Sequence, residues 1–173
     1  MLLDGRKIKF FADYSYVTFA VSTLALLISI FTANPLLMLG SSVVLFSAMD
    51  AIGYFHLVWG GNQNVPANNQ QERLVSYRFI QTVFQLLVSI ALYSNVGLMG
   101  ALSFNLMWWF GVCDILYYVF LKQNFFAYGD MFWLWWTPIG ILRSMGLIKE
   151  ITAWMAVTQA VIGVLVGMAI LFI

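Results

Sequence analysis

Charge is what this chain has least of. Only 9% of its 173 residues are Asp, Glu, Lys or Arg, against roughly 25% in soluble domains. A water-soluble fold of this size cannot hide the 62% that are hydrophobic, so lipid is the expected solvent for much of the surface. A net charge of +1 argues against a nucleic-acid partner. One cysteine, Cys113, excludes an intramolecular disulfide and leaves the redox compartment unread. One histidine, His56, excludes a bis-His haem site, a His-box di-iron centre and a copper cluster. No metal and no cofactor is therefore expected. No lysine lies deep in an apolar run, which argues against a retinal Schiff base. The P-loop, the Gly-rich dinucleotide fingerprint, the G-x-S-x-G elbow, paired thiols and a D-G-x-x-A-R pattern are all missing. The balance leans away from an enzyme and leaves that question open.

What the chain does have is long apolar runs. A membrane-spanning helix needs about 20 apolar residues, and five segments qualify: about 14–33, 35–59, 76–93, 96–121 and 151–173. Asn34-Pro35 and Ser94-Asn95 with Gly97 read as tight turns, the polar stretch 60–73 as a loop, and 122–130 as a short connector. Arg6, Lys7 and Lys9 precede the first run with no A-x-A-like site after it, which reads as a helix that is retained. Segment 131–146 is different. It is Trp-rich, its apolar part is only about 12 residues, and it contains Pro138 and Gly140. Runs of that length are more often re-entrant or interfacial. With five spans and a cytoplasmic N-terminus, Arg6, Lys7, Lys9, Arg73, Arg78, Lys122, Arg143 and Lys149 all fall inside. With six spans, Arg143 and Lys149 move outside. The expectation is a single all-α integral membrane domain over 1–173, in a plasma or inner membrane. It has five transmembrane helices plus a re-entrant or interfacial 131–146 segment; the alternative is six transmembrane helices.

In lipid, helices associate through close packing of small residues. Ser15, Thr18, Ser22, Ala25 and Ser29 form one such face, and Ala153, Ala156, Ala160, Gly163 and Gly167 another. Each serves the protein's own bundle or a partner. The second and fourth spans each carry an aspartate with a tyrosine four residues on, Asp50/Tyr54 and Asp114/Tyr118. Parallel hairpin repeats would bring these acids face to face.

An intramembrane charge costs about 2.5–3.5 kcal/mol on insertion scales and so turns toward partners. Asp114 has Tyr117 and Tyr118 on its own face, and Asp50 has Ser47 and Tyr54. Arg78, Gln81, Thr82, Gln85 and Ser89 form a stripe on the third span, with Arg78 the natural counter-ion for one acid. The candidate ligand or ion seam is Asp50, Tyr54, Arg78, Gln81, Gln85, Asp114, Tyr117 and Tyr118. It is either a structural lock or a site for a proton, a cation or a lipid head group; two carboxylates in low dielectric suit proton exchange. Asn105 is expected to hydrogen-bond across helices. Trp108, Trp109, Trp133, Trp135 and Trp136 either pack or line an aromatic pocket. His56 reads as an interfacial group rotated away from Asp50, and Asp13, Glu72, Asp130 and Glu150 as solvated helix ends.

Three functions fit. The leading one is a non-catalytic subunit or helical partner in a membrane complex, associating with another membrane protein or with itself through the small-residue faces. The alternatives are a carrier or channel for a small solute or ion, and an intramembrane lipid-acting enzyme with Asp50 and Asp114 as its acid–base pair and 131–146 as a lid.

Overall fold

The structure is a computed structural model that describes residues 5–58, 67–120, 124–127 and 129–173. Among these residues it is all helical. α1 (Gly5–Thr32) ends in a turn at Ala33 and Asn34. The Asn34 side chain accepts from the Leu37 backbone N–H at 3.0 Å, and Pro35, which has no N–H to leave unpaired, takes the first helical position. α2 (Pro35–Gly53) then widens into a π-helical turn, Tyr54–Val58. α3 runs Ala67–Val96, α4 Leu98–Trp109 and α5 Val112–Phe120. Two short 3₁₀ turns and α6 (Pro138–Ser144) precede α7 (Ala153–Leu171).

Among the described residues, four helices are long and apolar enough to cross a membrane: Tyr14–Thr32, Pro35–His56, Glu72–Val96 and Ala153–Leu171. α4 and α5 make a fifth if the pair counts as one span. Together they correct the expected continuous span at 96–121, because they meet at a 64° bend. Gly111 sits in the bend with φ 77, a left-handed conformation that a side chain disfavours. The turn expected at Ser94-Asn95 is helical instead. Asn95 donates to the Ala91 carbonyl at 2.8 Å, and Gly97, with φ 87, reverses the chain alone. In the expected 60–73 loop, residues 67–73 belong to α3 and 60–66 lie outside the described residues. Trp59, Leu121 and Lys122 lie outside them too.

α2 is the centre of the bundle. Its buried residues include Met38, Leu39, Phe46 and Ala48, and Phe46 meets Phe104 of α4 edge-on with ring centroids 5.7 Å apart. α1 lies along α2, with Ser15, Ser22 and Ser29 buried. The other faces of α1 and α3 display large apolar side chains such as Val17, Leu24, Phe79 and Leu86. α7 packs on α4 with Ala156, Ala160, Gly163 and Gly167 buried. A Cβ added at Gly163 would stand 2.4 Å from the Phe110 Cβ, and one at Gly167 2.8 Å from the Met107 Cγ. Only glycine allows this approach. Both small-residue faces are therefore internal.

Segment 131–146 folds back on itself as a 3₁₀ turn, Phe132–Leu134, followed by α6. Its base is clasped by Asp130. That carboxylate pairs with Arg143 at 2.6 Å and accepts from the Ile151 N–H at 3.0 Å, while the Met131 N–H donates to the Ile151 carbonyl at 3.0 Å. Asp130 is thus more than a solvated helix end. Three groups hold the tip. The Trp109 indole N–H donates to the Trp136 carbonyl at 3.0 Å. Trp108 stacks on Trp136 at 4.5 Å. The Ile139 N–H donates to Gln159 Oε1 at 2.7 Å.

Candidate polar site between α2, α3 and α5

α2 and α5 run side by side in the same direction. The Cys113 thiol lies beside Ser47, Asp114 lies within coulombic reach of Asp50, and the Tyr117 ring meets Tyr54 at 5.8 Å. Each contact advances along both helices together, which is what parallel neighbours do. The two aspartates thereby come to one level.

Asp50 is 7% exposed. Gln81 Nε2 donates to its Oδ1 at 2.6 Å, and the Tyr77 hydroxyl donates to its backbone carbonyl at 3.5 Å. Arg78 was expected to pair with an acid directly. Instead its Nη1 donates to Gln81 Oε1 at 2.7 Å, and its Cζ lies 5.7 Å from the Tyr77 ring centre. The reason is geometric. Gln81 is one helical turn further along the same face of α3, so its amide reaches the acid first and its carbonyl is left for the guanidinium. Arg78 still acts on both carboxylates through space. Its side chain is exposed, whereas Asp114 is half-buried. The seam thus runs from a buried acid, through an amide, to an arginine at the edge of the bundle.

Asp114 occupies the first turn of α5, where the helix dipole favours a negative charge. Its Oδ2 lies 3.7 Å from the point a Gly111 Cβ would take. Both acids therefore stand beside irregular helix. Asp50 precedes a π-helical turn, a feature frequent at functional sites, and Asp114 follows the bend.

The tyrosines divide. Tyr54 sits edge-on between Tyr77 at 5.5 Å and Tyr117 at 5.8 Å, walling the acid seam. Tyr118 meets Tyr117 at 5.3 Å but also contacts Phe125 at 5.1 Å and Trp133 at 6.5 Å, on the side of the 131–146 segment. Gln85 stands apart from the acids. It donates to Asn105 Oδ1 at 2.9 Å, and Asn105 donates to Ser89 at 2.8 Å, so the interhelical bond expected of Asn105 is present. The tryptophans do not line one pocket: Trp108, Trp109 and Trp136 cluster at the bend, Trp133 lies by Tyr118, and Trp135 is 71% exposed. His56 bonds to the Tyr16 hydroxyl at 2.5 Å. Gln159 went unnoticed in the sequence, although it is the only amide side chain in the last apolar run. Among the described residues no three His, Cys, Asp or Glu side chains could hold a metal. A cavity of about 470 Å³ opens at the other end of the bundle, beside Ser29, Asn34 and Asn95, with no charged side chain in its lining.

With both acids ionised, the seam carries two negative charges and one positive. It can hold a proton or an ammonium group at the carboxylates and an anionic group at the arginine. Fold and site together define a class, a helical bundle with several apolar helices that fit a membrane location and an ionisable seam among them. No protein-family model, curated protein or solved structure matches the chain.

Proposed function

We propose that the protein is a five-span membrane protein that binds, and exchanges a proton with, the polar end of an inner-leaflet phospholipid. α1, α2, α3, the bent α4–α5 pair and α7 are its spans, the N-terminus is cytoplasmic, and 131–146 is a re-entrant segment. This takes up the lipid-acting alternative. Small-residue faces suggested a partner subunit from the sequence, but the chain's own helices occupy both, which leaves the polar seam as the feature in need of a purpose.

The observation that carries the reading is depth. Arg78 lies five residues after Arg73, and Asp114 eight residues before Lys122, the nearest basic residues at the polar ends of their runs. At the helical rise of about 1.5 Å per residue that is about 8–12 Å, short of the midplane of a bilayer whose hydrocarbon core is about 30 Å thick, and Asp50 stands beside Asp114. Carriers hold their substrates near the midplane; head groups meet acyl chains near the level of this seam. Exposure supports the same reading, because Arg78 is reachable from the side of the bundle and Asp114 is half-exposed. A guanidinium suits a phosphate, which it can grip through two N–H groups. Asp114, backed by Asp50, is placed to take or give a proton at the neighbouring head-group atom.

The test is native mass spectrometry of protein released from its own membrane in mild detergent. Wild type is expected to retain one phospholipid, Arg78→Gln to lose most of it, and Asp114→Asn to change which head group is kept. Wild type with no retained lipid, or Arg78→Gln with an unchanged lipid complement, refutes the reading.

A further inference from the structure

Gln159 and Thr158 are the only polar side chains of α7, a helix otherwise built of Ala, Val, Ile, Gly, Leu, Met and one Trp, and Gln159 is 5% exposed. A buried amide without partners costs a few kcal/mol in an apolar medium, so its partners explain its presence. Nε2 donates to the Phe110 carbonyl at 3.1 Å. Oε1 accepts from the Ile139 N–H at 2.7 Å. Phe110 lies in the α4–α5 bend, where the helical ladder is interrupted. Ile139 lies in the first turn of α6, whose N–H groups have no intrahelical acceptor. Lipid supplies no water to satisfy either group. One amide therefore closes two gaps that belong to different segments.

The two gaps meet at Gly111. The direction its side chain would take points at Gln159 Nε2 (3.6 Å), Asp114 Oδ2 (3.7 Å) and Thr137 Cγ2 (3.9 Å). The pin, the acid and the tip of the 131–146 segment surround one α-carbon. We infer that Gln159 is a positioning residue for Asp114: by holding the Phe110 carbonyl it sets where α5 begins, and by holding Ile139 it makes the acid and the Trp-rich tip move as one body. The inference rests on these distances alone and does not require the ligand to be a lipid.

The experiment uses full-length protein in nanodiscs with two readouts. Trp108 and Trp136, stacked at 4.5 Å and 27°, give an exciton couplet in circular dichroism that reports tip docking and is assigned by its loss in Trp108→Phe. The infrared band of the Asp114 carboxyl group is assigned by its loss in Asp114→Asn. Gln159→Leu is expected to abolish the couplet and shift the Asp114 band. Gln159→Glu supplies the rescue, because a protonated carboxyl group has one O–H donor and one carbonyl acceptor and can replace both bonds. Its couplet is expected in acid and lost on ionisation, while wild type keeps the couplet at both pH values. Folded Gln159→Leu with an intact couplet, or with the couplet lost but the Asp114 band unmoved, overturns the inference. If Gln159→Leu fails to fold, Gln159→Glu decides: a couplet unchanged between the two pH values overturns it.

Discussion

Replacing Gly163 by alanine tests whether α7 is held against the bend by backbone-to-backbone fit. The new Cβ would lie 2.4 Å from the Phe110 Cβ and 3.1 Å from its Cγ. Carbon atoms rest about 3.5–4.0 Å apart, so α7 or the bend must yield by more than about 1 Å. Overpacking of this kind costs about 1–3 kcal/mol, and the better helix propensity of alanine returns about 1 kcal/mol. The clash alone thus predicts a net loss of about 0–2 kcal/mol. Gln159 sits one turn earlier on the same face, with hydrogen bonds of 3.1 and 2.7 Å that do not survive such a shift. Each buried group left unpaired adds about 1–3 kcal/mol. A loss above about 2 kcal/mol therefore means that the pin has been dragged off with the helix. Steric trapping in bicelles measures the difference. Gly40→Ala is the control, because nothing lies within 4 Å of its added Cβ; it should be neutral or slightly stabilising. Gly163→Ala that gains about 1 kcal/mol over wild type, the full helix-propensity gain with no clash to offset it, would refute the close-packing argument.

Gln81→Leu removes the amide that donates to the buried Asp50 carboxylate and should destabilise by about 1–3 kcal/mol or more; combining it with Asp50→Leu should recover part of that, and simple additivity in the double-mutant cycle would show the bond to be energetically idle. Asp130→Ala should cost more than Arg143→Gln, because Asp130 also holds the Ile151 N–H. The ion pair itself is about one-third exposed on each side, contributes no more than about 1 kcal/mol, and weakens with salt. Tryptic cleavage at Lys149 in nanodiscs reads both variants; equal rates for the two would contradict the double role of Asp130.

The helices were legible because apolar runs of spanning length can form little else in lipid. The acids on the second and fourth runs were legible as well, since a charge in such a run stands out. Asn105 could be assigned a partner on another helix for the same reason. The bend at Gly111 was not legible: the residues on both sides are apolar and helix-compatible, and a glycine in such a run is as often a packing contact as a break. The route from Arg78 to Asp50 was hidden too. Charge complementarity names the two ends, but only the height of α3 against α2 decides that Gln81 arrives first.

Composition and run length by themselves determined that this chain is a bundle of apolar helices, and which side chains are too polar to face lipid. Tertiary structure alone decided which faces turn inward. In a water-soluble helix the buried stripe is apolar and the outer face polar, so sequence reveals orientation. Here both the core and the outer surface are apolar, and nothing in the local pattern separates Phe46, which is buried, from Phe79, which is 70% exposed. Orientation comes from fit, from Gly163 against Phe110 and Gln159 between two broken ladders, and fit exists only once the helices have met.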